Sequence, residues 1–189
     1  MSKVDFNSRV AIVTGAGTGL GRSHALALAA RGVRVVVNDL GGSVDGKGGS
    51  SAAAEAVVDE IEAAGGEAMA NGANVTKPDE VQAMVEAAID RWGHVDILIN
   101  NAGILRDKSL AKMTLEDFRA VVDVHLMGST ICTKAVWGHM RERGYGRIIN
   151  VASLAGYAPG SAGHTLYASV KAGMIKFSES VNAEAEALG

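Results

Sequence analysis

One cysteine, Cys132, stands in a chain of 189 residues, which excludes an internal disulfide. It falls inside a helical apolar pattern and reads as a small core residue, because a reactive thiol needs a partner such as a neighbouring histidine to lower its pKa. No apolar run approaches the ~20 residues of a membrane span, and the N-terminal octapeptide M-S-K-V-D-F-N-S holds no signal-peptide core. These two absences lead to the expectation of a soluble, cytoplasmic protein with no membrane partner. Positive charge is not in excess either: 18 Lys and Arg against 21 Asp and Glu give a net charge of −3, which offers no field to nucleic acid or an anionic membrane. A small-molecule partner is expected instead. Metal chemistry lacks its residues, since His24 stands in a helical stretch with no other His or Cys at ligand spacing. Also missing is a G-x-S-x-G elbow, which argues against a nucleophilic hydrolase.

What is present is organised around residues 9–21, R-V-A-I-V-T-G-A-G-T-G-L-G. Val10, Ala11, Ile12 and Val13 form the near-continuous apolar run of a strand covered on both faces, and Gly15, Gly17, Gly19 and Gly21 supply a turn into a helix. Glycines let a pyrophosphate approach the backbone, and the helix start offers unpaired N–H groups and the positive end of its dipole. A second strand at 33–38 follows one helix later and ends at Asp39, where a carboxylate would reach the adenosine ribose of a dinucleotide. By itself a glycine turn is a weak signal, because any tight strand-to-helix turn can produce one.

The remaining chain continues the alternation. A helix over 20–31 stops at Gly32, and a glycine- and serine-rich loop spans 40–51. Ala53, Ala54, Val57, Val58, Ile61 and Ala64 mark a second helix, and residues 67–74 read as a weak third strand running into a loop. Thr76, Pro78 and Asp79 open a third helix whose buried stripe is Val81, Met84, Val85, Ala88, Ile89 and Trp92. A strand at 95–99 runs into N-N-A-G at 100–103, which taken alone is a turn signal. Thr114 and Asp117 form a capping box for one long helix from 115 to about 143, carrying more apolar surface than a single contact needs. After a fifth strand at 147–152 come Ser153, a Gly- and Pro-containing loop, and a last helix opened by Tyr167, Ala168, Ser169, Val170 and Lys171. The whole reads as a single domain over 1–189 in which roughly 70 per cent of the unfolded surface is buried. Its fold class is α/β, a doubly wound parallel sheet of Rossmann type with helices on both faces.

The spacing T-G-x-x-x-G-x-G at Thr14, Gly15, Gly19 and Gly21, the N-N-A-G, and a strand-end Ser153 followed after 13 residues by Y-x-x-x-K stand in the order of the short-chain dehydrogenase/reductase family, which the chain resembles from residue 9 to about 188. Several stretches, N-D-L-G-G at 38–42, N-N-A-G-I-L-R-D at 100–107, V-H-L at 124–126 and G-Y-G-R-I-I at 144–149, resemble the branch of the (3R)-hydroxyacyl-CoA dehydrogenase domain of the multifunctional β-oxidation enzyme and its bacterial relatives.

This resemblance implies Ser153, Tyr167 and Lys171 as catalytic residues. It implies coenzyme binding by Gly15, Thr18, Gly19, Leu20, Gly21, Asp39, Asn101, Ala102 and Gly103, joined by Tyr167 and Lys171. The coenzyme expected is NAD in preference to NADP, because Asp39 would repel a 2′-phosphate and neither Leu40 nor Thr18 offers a compensating cation. Hydride transfer between a secondary alcohol and a ketone is the implied reaction, with (3R)-hydroxyacyl-CoA or 3-ketoacyl thioesters as substrates. A free phenol titrates near ~10, so a tyrosine proton carrier needs a nearby cation, which Lys171 provides one helical turn away. A 3-oxoacyl-acyl-carrier-protein reductase or a steroid or other alcohol dehydrogenase of the same family is the alternative, and an inactive coenzyme-binding or assembly module is the alternative of another class. The long helix and the last helix are expected to pair with a second copy in a homodimer or homotetramer. Two departures stand out. His125 occupies the position where many members place an Asn that holds a water beside the lysine. Gly189 stops short of the further strand and substrate-covering segment of the family, so the chain is expected to be C-terminally incomplete.

Overall fold

The computed structural model describes residues 6, 8–43, 45–46 and 50–188. Most of the N-terminal octapeptide, residues 44 and 47–49 of the glycine-rich loop, and Gly189 lie outside the described residues.

Five short strands form one parallel sheet: β1 Val10–Thr14, β2 Arg34–Asn38, β3 Ala68–Asn71, β4 Ile97–Asn100 and β5 Arg147–Asn150, in the order β3-β2-β1-β4-β5. The order reverses at β1, where a strand pairs on one side with its successor and on the other with β4, and such a switch point opens a crevice beyond the carboxyl ends of the strands. Helices α1 Gly19–Ala29 and α2 Ala52–Ala63 cover one face and α3 Pro78–Trp92 and α5 Gly128–Glu142 the other, while α4 Leu115–Val122 packs against α6 Thr165–Leu188, which follows β5.

Alternate residues of the apolar strands feed two cores. Val10, Ile12, Val36 and Leu98 pack with Val81, Met84, Val85 and Trp92 of α3 and with Cys132, Val136 and Met140 of α5. Ala11, Val13, Val35 and Val37 pack with Ala25 of α1 and Ala54, Val57 and Ile61 of α2. Every residue of β1 is buried, as a strand covered on both faces requires. Cys132 lies in the first core, and burial pushes its thiol up to about 12, so it is a packing residue. Met174 of the last helix, a helix expected to pair with a second copy, is likewise buried within the chain itself.

At the carboxyl end of the sheet the apolar strands finish in a polar row. Asn71 pairs in register with Asn38, Asn38 with Thr14, and Asn150 with Asn100. Asn38 Nδ2 donates to Asn71 Oδ1 at 3.0 Å and Asn100 Nδ2 to Asn150 Oδ1 at 2.8 Å. Buried amides need such partners, and this row is the floor of the crevice. At the opposite end the fully buried Asp96 carboxylate accepts from Arg9 Nη1 and the Val10 N–H, both at 2.9 Å, and lies 3.1 Å from His94 Nε2.

Several boundaries differ from the sequence reading. Strand β4 starts at Ile97, and the Val95 N–H turns away to the ring of His139. The long helix is interrupted by a π-helical turn at Asp123–Met127. Ser129 and Thr130 donate their hydroxyls to the carbonyls of His125 and Leu126 at 2.6 and 2.8 Å, supplying partners at the widened turn. Thr76 donates to Asn74 Oδ1 and does not cap α3, whereas Thr114 accepts from the Asp117 N–H as expected. Strand β5 is an edge of the described sheet, with Ile149 half exposed. Among the described residues no helix is long and apolar enough to cross a membrane.

Candidate active site

The crevice begins where β1 gives way to the glycine turn. Gly15 adopts a positive φ of 62°, and a Cβ on it would meet the Ala102 backbone at 2.8 Å. Gly21 is tighter still: a Cβ there would stand 2.1 Å from the Gly15 carbonyl oxygen and 2.5 Å from Asn101 Nδ2. The first turn of α1 therefore rests directly on the end of β4. Asn101 closes the junction by donating Nδ2 to the Thr14 and Gly15 carbonyls at 3.0 and 2.9 Å. Thr14 Oγ1 accepts from the backbone N–H groups of Asn101 and Ala102 at 3.1 and 3.0 Å.

Thr18, Gly19 and Leu20 are exposed at the mouth of the turn. No side chain caps α1, and a helix start leaves its first N–H groups without intrahelical partners. Above Gly19 a Cβ would find nothing within 4 Å. At the end of β2, Asp39 accepts from the Gly17 and Gly41 N–H groups, each at 2.7 Å, which fixes its carboxylate beside the turn. Open space over exposed backbone N–H groups, with a fixed acid one strand away, fits the pyrophosphate and adenosine ribose of a dinucleotide.

The other half of the site is built on β5 and α6. After Asn150 the chain leaves the sheet, and the Val151 carbonyl accepts a 2.6 Å hydrogen bond from Lys171 Nζ. Ser153 caps a short 3-10 turn, Leu154–Gly156, its hydroxyl oxygen accepting from the Ala155 N–H. That turn lies directly on α6: a Cβ on Gly156 would stand 3.0 Å from Lys171 C and Ala172 N. The turn that Ser153 opens thus rests on the backbone of α6 at Lys171. Tyr167 stands one helical turn before Lys171, whose ammonium is 5.6 Å from its ring centroid. Lys171 is buried, and the lost hydration lowers its titration to about 8.

His125, left open by the sequence, is placed at this point. Its ring lies edge-on to Tyr167 with centroids 5.8 Å apart. Its Nε2 is 3.1 Å from the Ile104 nitrogen and 2.9 Å from the Ile104 carbonyl oxygen, and a neutral imidazole can serve one of these at a time. Burial first, opposed by the Ile104 bond and aided by the Lys171 charge, lowers its titration to about 4, so the ring is neutral near pH 7. The π turn brings it here, and Gly103 makes room, since a Cβ on Gly103 would lie 2.3 Å from the His125 ring. The His125 carbonyl is taken by Ser129 Oγ.

The structure thus gathers Gly15, Gly21, Asn101, Ala102 and Gly103 into one junction and Ser153, Tyr167 and Lys171 around the end of β5. Sequence reasoning missed the Thr14 hydroxyl as hub of that junction, the Val151 carbonyl as the lysine's acceptor, and the bracing of Ile104 by His125. Only Thr14 carried a signal, as a polar residue closing an apolar strand.

A family model for short chain dehydrogenases matches residues 9–189. The peroxisomal hydratase-dehydrogenase-epimerase of Saccharomyces cerevisiae is 50% identical over 181 residues, 96% of this chain and 20% of that protein. A 3-oxoacyl-[acyl-carrier-protein] reductase of Synechocystis is 47% identical over 182 residues, 96% of this chain and 70% of that protein. Among solved structures, a 7α-hydroxysteroid dehydrogenase complexed with NADH and 7-oxo glycochenodeoxycholic acid superposes with a TM-score of 0.89 at 31% identity, covering 98% of this chain and 68% of that one. The chain thus spans about a fifth of its yeast relative. The expectation of a cytoplasmic protein is corrected by these relatives: the yeast protein and three others 46 to 50% identical are peroxisomal by name. That expectation rested on the want of an apolar span and a signal-peptide core, neither of which bears on the peroxisome.

Proposed function

Because the chain belongs to the short-chain dehydrogenase family, we propose that its crevice binds NAD and interconverts a secondary alcohol and a ketone, with (3R)-hydroxyacyl-CoA and 3-ketoacyl thioesters as the substrate class. The observation that carries this reading is the buried Lys171 ammonium, held on the Val151 carbonyl one turn from Tyr167 and under the Ser153 turn. A bound nicotinamide supplies the hydride acceptor or donor. The chain's own residues position the substrate and move the proton.

Ser153 hydrogen-bonds the substrate oxygen and orients it toward Tyr167. In oxidation the Tyr167 phenolate, supported by the Lys171 charge, takes the hydroxyl proton of the alcohol as the hydride leaves the carbon for the coenzyme; in reduction the Tyr167 hydroxyl returns that proton to the ketone oxygen. Lys171 contributes positive charge beside the ring and, by exchanging the Val151 carbonyl for a ribose hydroxyl, holds the coenzyme. His125 is neutral near pH 7 and its Nε2 is occupied by Ile104, so it braces the cleft and the proton passes through Tyr167. Gly15, Thr18, Gly19, Leu20 and Gly21 receive the pyrophosphate, Asn101, Ala102 and Gly103 line the adjoining wall, and Asp39 accepts from the adenosine ribose hydroxyls. A 2′-phosphate would meet the Asp39 charge, which supports NAD over NADP.

Relatives that carry hydratase and epimerase activities in their names beside the dehydrogenase support an acyl-CoA substrate. The Synechocystis relative supports a second reading, reduction of a 3-oxoacyl group on acyl carrier protein. We further propose a two-fold homo-oligomer, which light scattering reads directly; a monomer at micromolar concentration removes it. A coenzyme-linked absorbance assay against (3R)-hydroxyacyl-CoA, 3-ketoacyl thioesters on each carrier and simple secondary alcohols tests the reaction. Turnover highest with the acyl-CoA pair is expected, and coenzyme binding without turnover on any of them would make the protein a binding or assembly module.

A further inference from the structure

Residues 104–107, which continue the chain from the Asn101–Gly103 junction, are held from three sides. Ile104 lies on the His125 ring, which is edge-on to Tyr167. Arg106 donates Nε to the Asp45 carbonyl at 3.0 Å and faces Asp117 of α4 at 3.5 Å. Asp107 meets the catalytic helix: its Oδ2 is 3.4 Å from Nδ1 of His164. His164 immediately precedes α6, and its carbonyl accepts the Ala168 N–H at 2.9 Å, closing the turn that contains Tyr167.

The other Asp107 oxygen, Oδ1, is buried without a hydrogen-bond partner among the described residues. A carboxylate so placed relies on the contact that its second oxygen makes. Leu166, adjacent to Tyr167, is packed with Val121 and Val170 in a small apolar cluster against which Ile104 and Met113 lie. Close-packed groups transmit displacement, so the position of residues 104–107 and that of the first turn of α6 are coupled.

We propose that Asp107 and His164 are positioning residues for Tyr167. Their contact clamps the segment bordering the coenzyme site to the start of the catalytic helix, and because one partner is an imidazole the clamp tightens when that imidazole is protonated. This rests on the reading of Tyr167 as proton carrier. The other charged or titratable groups around the pair are Arg106 and Lys108 on the same segment, Asp117 on α4, His125 in the π turn, and Tyr167 and Lys171 on α6. Arg106 and Lys108 both turn to Asp117. His125 titrates at about 4 and Lys171 at about 8.

NMR titration of the protein labelled with 13C at tyrosine and 15N at histidine tests the clamp without requiring turnover. The chain has three tyrosines, and Tyr167→Phe assigns the one concerned. In the wild type, part of the Tyr167 ring shift should follow the His164 midpoint. That part should vanish in both His164→Gln and Asp107→Asn, while the part due to Lys171 persists. In steady-state assays, wild-type kcat relative to His164→Arg, which stays charged, should fall up to about five-fold as His164 loses its proton, with the coenzyme KM unchanged. A Tyr167 ring indifferent to His164 in the wild type, or unaltered by both variants, overturns the proposal. Tracking in a protein without turnover would keep the clamp and remove the dehydrogenase reading; turnover without tracking would do the reverse.

Discussion

Replacing Lys171 by methionine should stabilise the fold near neutral pH while abolishing function. Only 4% of Lys171 is exposed, and burial lowers its titration from 10.5 to about 8. The unfolded chain keeps this proton up to the ordinary lysine value, whereas the folded chain releases it near 8. Between the two, the unfolded state binds more protons, so stability rises with pH across that window. At about 1.4 kcal/mol per pH unit, the interval corresponds to about 3 kcal/mol. Below its lower edge the charged lysine burdens the folded state by that amount. Methionine keeps the length and loses the charge, but it also abandons the Val151 carbonyl, a loss of about 1 kcal/mol. The variant should then be more stable than the wild type by about 2 kcal/mol at pH 7, and less stable once the lysine is neutral. Urea unfolding of both proteins at intervals from pH 7 to pH 10 reads the difference, which cancels every other titrating group. Parallel stability curves, or a methionine variant weaker at pH 7, would refute the reasoning. The same variant should bind coenzyme poorly, as expected of a functional group retained against stability.

Gly21→Ala places a Cβ against the Gly15 carbonyl and Asn101; it should cost ~1–3 kcal/mol in thermal unfolding and weaken coenzyme binding measured by fluorescence titration, with intact binding counting against the junction. Asp39→Ala should reduce the preference for NAD over NADP in paired coenzyme titrations, and a wild type that binds NADP more tightly would contradict the assignment. Asp96→Ala leaves the buried Val10 N–H without its acceptor and should lower stability by ~1–3 kcal/mol in denaturant unfolding. Lying at the end of the strands away from the crevice, it should spare the coenzyme affinity of the folded fraction.

Much of this was legible because the information is local. An apolar run broken by Gly15, Gly19 and Gly21 announces its own turn, Asp39 follows its strand directly, and the four-residue step from Tyr167 to Lys171 places them on one helix face. The weak strand at β3 was visible for a similar reason, as a short stretch between a Gly65–Gly66 stop and a helix start. What escaped depends on distance along the chain or on a single backbone hydrogen bond. An apolar stripe keeps its phase too loosely to reveal one π turn, so Asp123–Met127 read as ordinary helix and His125 could not be aimed. Asn38 and Asn71, or Asn100 and Asn150, become partners only when strand register is known. The Asp107 contact with His164 likewise joins residues that no spacing rule relates. Location failed differently: it was inferred from signals that were absent, and relatives with peroxisomal names overturned it.

The central claim is that Tyr167 carries the proton. Tyr167→Phe removes one hydroxyl and keeps the ring against His125, so coenzyme affinity measured by titration should stay at the wild-type value. Turnover of the (3R)-hydroxyacyl-CoA pair, measured by coenzyme absorbance on the same preparation, should fall by at least ~10² to 10⁴. Near-normal turnover in Tyr167→Phe would contradict the account and send the proton by another route, with His125 the first group to examine.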